Sequence, residues 1–504
     1  MADAPGTDPA AAAPDAVIVG TGPNGLAAGV TLARAGLRVE LYERDKQIGG
    51  GLRTTSLFDS DVVHDICSAV HPMAAASRFF REFNLAARGV ELLSPKVSYA
   101  HPLDNGQAAL AFRDLDATCA RLGRDGDRWR TLMRPLAEHS AGIVDFVLSG
   151  QRALPRDPFV PLLLARGVLA HGTRLTRRTF RDEPARALLT GVAAHGLGKL
   201  PSVASSAVAL LLGHLAHSKA GWPLPRGGSA RIADALVADI TAHGGVIHTD
   251  AEVTDLAEIP AARAILLDVS PKGFRALAGE RLPRRYARAL DAFHYGPGAA
   301  KVDFLVSEPI PWADPEVGMA GTVHLGGTQA EMFRQETLTA RGVRTDEPFV
   351  LLVDPAVADP YRARGGVRPV WAYAHVPNGD STDPGDLVRD RIERYAPGFR
   401  STVLAQRSVS ASGMEHYNPN YVGGDIGAGA MTIRQSLLRP TARFDPYRTP
   451  LPGVYLCSAS TPPGPSVHGM SGYLAALSAL RREFAIHTSP PLGPATTSMF
   501  TEHE

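Results

Sequence analysis

Cysteine is scarce: Cys67, Cys119 and Cys457 are the three in 504 residues, and they stand far apart. They form neither a disulfide framework nor a C-x-x-C pair, which excludes a disulfide-built secreted scaffold and makes a reducing cytoplasm the expected compartment. An excess of one charge is also missing, with 52 Lys+Arg against 51 Asp+Glu. That balance excludes the electrostatic footprint of a nucleic-acid binder. The arginine-rich run Arg174–Arg181 reads as a solvated helix face. No stretch reaches the roughly 18 uncharged apolar residues of a spanning helix. Phe159–His171 comes nearest and Arg166 interrupts it, so only peripheral membrane contact stays open. Met1–Asp15 is Ala/Pro/Asp-rich, without a basic n-region or an apolar h-region. It is not a signal peptide and is expected to be disordered.

With 44% hydrophobic and 20% charged residues, the remainder is ordinary globular composition, long enough for one large or two interleaved domains. Chemistry begins at Ala16. Ala16–Val19 is a short apolar run of strand length, and Gly20-Thr21-Gly22-Pro23-Asn24-Gly25 is G-x-G-x-x-G. From Leu26 to Ala35 apolar residues recur at helical spacing. Gly20 permits the tight turn, Gly22 lets backbone approach a pyrophosphate, and Gly25 brings helix close to strand. Gly36 closes the helix and Leu37–Tyr42 forms a second strand. Glu43 follows 23 residues after Gly20, near the spacing of about 20 at which an acid takes ribose hydroxyls.

Gln47-Ile48-Gly49-Gly50-Gly51-Leu52-Arg53-Thr54 is a second glycine-rich turn, whose bare backbone can lie against the same diphosphate with Arg53 as counter-charge. First turn, E-R acid site and G-G-x-x-R-T loop in this order resemble the FAD-containing amine oxidase and phytoene desaturase superfamily. The resemblance implies FAD as cofactor, held by Gly20, Gly22, Pro23, Asn24, Gly25, Glu43, Arg44, Gly50, Gly51 and Arg53. Gly51 departs from the pattern, since many members carry arginine or alanine there. By the same resemblance Phe58–Pro72 runs past the flavin toward the substrate, which makes His64 and His71 site candidates beside their ordinary reading as hydrogen-bonded structure.

Ser77–Leu85, Leu115–Leu148 and Ala185–His217 carry helical spacing, interrupted by the turn signal Asp104-Asn105-Gly106 and by Pro155, Pro158 and Pro161. His214 and His217 share one helix face, but no third ligand or acid cluster accompanies them, so no metal site is expected. Pro225–Ser229 opens a helix through Ile240, followed by two short strands, Val246–Thr249 and Val253–Leu256. This resembles the superfamily's return crossing into the FAD domain and implies that Val253 meets the adenine. Ala264–Val269 reads as a buried strand carrying Asp268 near its end. Gly298–Leu305, Phe349–Val353 and Pro369–His375 are strand-like and predict a mixed sheet. Asn418–Ile426 and Tyr295–Ala299 resemble segments of a branch typified by the pyridine nucleotide-disulfide oxidoreductase domain-containing protein 2 group.

Gly453–Ala476 (GVYLCSASTPPGPSVHGMSGYLAA) is strand, proline-rich turn and small-residue helix. A helix N-terminus so placed can aim N–H groups at the flavin's pyrimidine edge. It resembles the family's closing motif, which implies Ser458 and Met470 as cofactor contacts and offers His468 as the catalytic acid/base. Gly464–His468 is a near miss to a hydrolase nucleophile elbow, lacking its last glycine.

The expected fold class is α/β, a discontinuous Rossmann-type FAD-binding domain with an α+β substrate domain of mixed sheet and helices. The expected divisions are a disordered tail at 1–15, FAD-binding segments at 16–104, 225–297 and 450–490, a helical substrate segment at 105–224, a mixed-sheet segment at 298–449 and a tail at 491–504. The expected function is phytoene desaturase-type hydride removal from a C–H bond of an apolar substrate, such as an isoprenoid, to flavin N5. Oxygen, a quinone or another acceptor then takes the electrons. A flavin amine oxidase, for which an aromatic cage is expected and only Trp371, Tyr373 and Tyr473 are suggestive while reading more readily as aromatic core, and a non-catalytic FAD-binding interaction protein are the alternatives.

Overall fold

Ala16–Val19 (β1) is apolar at every position, and a strand with no polar side can only be buried on both faces. In the computed structural model, which describes residues 13–150, 155 and 157–494, it is the centre of a five-stranded parallel sheet. The order is Val454–Leu456, Ala264–Leu267, β1, Val39–Tyr42 (β2) and Val246–His248. The expected tails lie largely outside the described residues, at 1–12 and 495–504.

Helix α1 (Pro23–Arg34) leaves the glycine turn with Pro23 in its first turn, where a missing N–H costs nothing, and Gly36 at φ +81° ends the run. It packs between two helices, Ala230–Ala242 and Met470–Glu483. Both approaches use glycine. A Cβ at Gly29 would stand 2.8 Å from Ile240 Cδ1, and one at Gly472 would stand 1.8 Å from the Asn24 carbonyl oxygen.

The second sheet has seven strands, ordered Val403–Val409, Gly298–Val306, Arg368–Val376, Val350–Val353, Ala320–Leu325, Val97–Pro102 and Ala108–Phe112. All its pairings are antiparallel except that between Ala320–Leu325 and Val97–Pro102. The expected division after residue 104 therefore falls inside a hairpin, because Val97–Pro102 and Ala108–Phe112 pair with each other. Helices between Leu115 and Ala216 cover one side of this sheet, including Glu183–Ala194 and Val203–Ala216. Among the described residues no helix is long and apolar enough to cross a membrane.

The second of the two strands expected at 246–256 does not form. Thr254 donates from its backbone N (2.8 Å) and its hydroxyl (2.7 Å) to Glu258, and Asp255 accepts from Ala257 N at 2.7 Å. These local side-chain bonds take the place of a ladder.

Candidate functional site

The glycine turn stands over the carboxyl ends of three parallel strands, where open α/β sheets place their ligands. Gly20, at φ +96°, donates to the Tyr42 carbonyl at 2.8 Å and so ties β1 to the end of β2. A Cβ at Gly25 would fall 2.1 Å from the Gly20 carbonyl oxygen, and one at Gly22 would fall 2.6 Å from Asp268 Oδ2. Asp268 follows the Ala264–Leu267 strand, and its Oδ2 accepts from Gly25 N at 2.9 Å. This buried carboxylate thus caps the N-terminus of α1, and burial pushes its pKa up to about 7 against the pull of the Gly25 N–H. Asn24 is buried beside it, with a side-chain oxygen that has no partner.

Glu43 is fixed from both glycine loops. Its Oε2 accepts from Thr21 N at 3.1 Å and Thr21 Oγ1 at 2.5 Å, while its Oε1 accepts from Arg53 Nη2 and Asp45 N, each at 3.0 Å. Arg53 also meets Asp45 at 3.3 Å and donates to the Gln47 carbonyl at 2.7 Å. Arg53, expected as counter-charge to a diphosphate, has its charge met by two carboxylates and ties the second loop to Glu43. Arg44 donates to the Tyr417 carbonyl at 3.0 Å. A Cβ at Gly50 would lie 3.1 Å from Gly22 Cα, so the two loops touch through bare backbone. Gly51 is explained by Tyr421, whose hydroxyl lies 2.5 Å from where a Cβ would be.

A continuous cavity of about 940 Å³ runs from this turn into the space against the second sheet. Its dinucleotide end is lined by Gly20, Gly22, Pro23, Asn24, Glu43, Arg44, Gly50, Gly51, Arg53, Val253 and Ser458. Its far end is walled mainly by apolar groups, among them Leu148, Val208, Leu211, Leu351, Val353 and Trp371. Trp371 and Tyr373 stand side by side there, ring centroids 5.7 Å apart and 18° between planes. His195 also reaches this end, and its Nε2 lies 2.8 Å from His324 Nε2, one ring donating to the other. Burial pushes His195 down to about 3, so the pair is neutral.

Gly25 and Met470 support the turn from behind rather than lining the cavity. His468 is corrected as catalytic acid/base. It is fully buried, its Nε2 shares a hydrogen bond with the Gly464 carbonyl at 3.0 Å, and its Nδ1 accepts from Met470 N at 2.9 Å. Both ring nitrogens are committed, and burial pushes the group down to about 4, so it caps the Met470–Glu483 helix and carries no proton to a ligand. His64 and His71 do not line the cavity: His64 bonds the Phe304 carbonyl at 3.1 Å and His71 bonds Ser229 Oγ at 2.8 Å. His214 bonds Leu210 O and Ser140 Oγ, and His217 bonds Phe112 O and Trp129 Nε1. Among the described residues no His, Cys, Asp and Glu cluster suits a metal ion. Tyr473 packs on Phe79, centroids 5.9 Å apart, away from the cavity.

Sequence reasoning assigns no role to Asp268, Thr21, Tyr417, Tyr421, His195 or Arg439, all of which line the cavity. For Asp268 a signal exists, an acid at the carboxyl end of a strand that joins the parallel sheet.

Residues 18–83 match the family model of the NAD(P)-binding Rossmann-like domain. Over 557 aligned positions the chain is 26% identical to the pyridine nucleotide-disulfide oxidoreductase domain-containing protein 2 of Rattus norvegicus, with 92% of each chain covered. The chain is a homologue of that protein. Among solved structures, a cofactor-redesigned triple mutant of putrescine oxidase aligns with a TM-score of 0.58 at 15% identity, covering 92% of this chain and 98% of that one. That likeness shows the fold. A shorter match, 29% identical over 122 residues, joins 23% of this chain to 22% of a limonene dehydrogenase polypeptide of Castellaniella defragrans. Together with the geometry, these findings bear out the α/β Rossmann fold expected from the motifs.

Proposed function

We propose that this protein is an FAD-dependent oxidoreductase that takes hydride from a C–H bond of an apolar substrate. The observation that carries the reading is the single cavity joining a glycine-turn dinucleotide site to an apolar chamber. A volume of about 940 Å³ suits a large ligand and a substrate side by side. The fit at the dinucleotide end rests on bare glycine backbone at Gly20, Gly22 and Gly50, the unpartnered Asn24 oxygen and the buried acid Glu43. FAD, when bound, supplies an acceptor of two electrons and a hydride.

The chain's own part is binding, orientation and exclusion of water. Gly20–Asn24 and the start of α1 hold phosphate, Glu43 takes ribose hydroxyls, and Val253 packs on the base. Leu211, Leu351, Val353 and Trp371 keep the reacting end dry, which strengthens every polar interaction made there. The name of the limonene dehydrogenase relative describes an apolar hydrocarbon as that protein's substrate, in keeping with such a wall.

One observation favours a second reading as an amine oxidase: the adjacent Trp371 and Tyr373 rings facing the cavity, which can flank a substrate nitrogen. Anaerobic titration of the flavin-loaded protein with terpene and carotenoid hydrocarbons and with primary and secondary amines separates the two. Bleaching by hydrocarbons alone supports the favoured reading, and bleaching by amines alone replaces it. A flavin that no member of either panel reduces favours an interaction protein.

A further inference from the structure

Two buried arginines line the cavity, and they differ in their partners. Arg53 meets Glu43 at 3.0 Å and Asp45 at 3.3 Å. Arg439 is 1% exposed and, among the described residues, has no carboxylate oxygen within 4.0 Å. Its Nη1 donates to the Ala459 carbonyl at 2.9 Å, its Nη2 reaches the Gly429 carbonyl at 3.3 Å and Met431 Sδ at 3.9 Å, and its Nε has no partner. Asp425 is the acid whose charge acts on it, but that carboxylate is taken by the backbone N–H groups of Gly296, Gly427 and Gly429 at 2.7, 2.8 and 2.8 Å. Burial outweighs the pull of Asp425 and pushes Arg439 down to about 10, which leaves it protonated at neutral pH.

A guanidinium buried without a counter-ion is costly, and a loop clamp does not require one. The two carbonyls that Arg439 holds need only neutral donors, so the charge is surplus to the packing. It faces a cavity whose nearby wall mixes the apolar Met431, Leu437 and Pro463 with Asp425, Ser460 and Ser466.

We propose that Arg439 is an anion-receiving subsite of this cavity, taking a delocalised, singly charged group. The inference deepens the function proposed above and rests on it for the identity of the ligands. The shared chemistry has two sources, a carboxylate at one end of an apolar substrate or the charge gathered on the pyrimidine edge of a reduced flavin.

The test is calorimetric titration of the flavin-loaded protein with decanoate and with 1-decanol, at fixed salt near pH 7.5, for wild type, Arg439→Lys and Arg439→Met. The reduction potential of the bound flavin is measured for the same three proteins. A substrate carboxylate predicts that decanoate binds wild type about tenfold or more tightly than decanol, with the preference weakened in the Lys variant and gone in the Met variant. A flavin source predicts equal binding of the two ligands and a potential lowered in the Met variant but largely kept in the Lys variant. Absence of both the carboxylate preference and the change in potential overturns the proposal. If the Met variant does not fold, Arg439→Gln, which also removes the charge, takes its place in both measurements. A protein that takes up no flavin refutes the function proposed above, and the decanoate arm on that protein still decides for Arg439.

Discussion

Glu43 connects both glycine loops, accepting from Thr21, Arg53 and Asp45 within a site where it is 7% exposed. Glu43→Gln leaves Arg53 with only the half-exposed Asp45 as its acid. The expected outcome is a loss of about 3 kcal/mol of stability in urea titration and at least about tenfold weaker FAD binding by fluorescence titration. Asp268 gives a pH signature of the opposite kind to most buried acids. Its carboxyl is raised from 3.8 to about 7, so the stability it contributes is fully present below the unfolded value and is lost as pH rises through 7. Asp268→Asn keeps an acceptor for Gly25 N without the charge. Its melting temperature relative to wild type is therefore expected to be higher at pH 8 than at pH 5, and a constant difference would refute the assignment. Buried histidines act at the other end. His71, His101, His214 and His217 are all lowered by burial to about 4, so their contribution is present above the unfolded value of 6.5 and is lost as pH falls from 6.5 toward 4. Melting curves from pH 7 to pH 4.5 should show a steep fall on the acid side, carried by these groups.

Helix α1 is held by backbone contact more than by side-chain size. At Gly472 a Cβ would stand 1.8 Å from a carbonyl oxygen that cannot retreat, whereas at Gly36 nothing lies within 4 Å and only the positive φ of +81° opposes a side chain. Gly36→Ala is thus expected to cost about 1–2 kcal/mol, and Gly472→Ala clearly more, through separation of the two helices. Comparing their melting temperatures and flavin content checks the ranking. The same contrast between local and distant causes explains what is legible in the sequence. The run of β1, turn, α1, β2 and Glu43 is readable because each step is dictated by neighbours along the chain. Val97–Pro102 and Ala108–Phe112 are not, since their strand identity comes from pairing across the fold, one of them with Ala320–Leu325. Arg53 is legible as a residue of the right loop, but its neutralisation by Glu43 and Asp45 depends on how two turns meet. His468 reads from its motif as a proton carrier, while its nitrogens are spent on Gly464 and Met470 within the same segment.

At the scale of the molecule, the parallel sheet is assembled from strands at both ends of the chain and from its middle. Val454–Leu456 closes the sheet beside Ala264–Leu267, and the Met470–Glu483 helix covers α1. Removing residues 450–504 would strip that cover from Leu26, Val30 and their buried neighbours. The truncated chain is expected to lose cooperative unfolding in circular dichroism, and retention of a sharp transition would show that the glycine-turn half folds alone. The glycine turn at the end of that sheet and the apolar chamber share one cavity. The most direct test of that account is the visible absorption spectrum of the purified protein, followed by heat release and mass measurement of what it holds. The account predicts a flavin spectrum and release of about one FAD per chain, with the colour reduced or lost in Glu43→Gln. A colourless protein that also fails to take up added FAD would contradict it, leaving the Gly20–Gly25 turn as scaffold only.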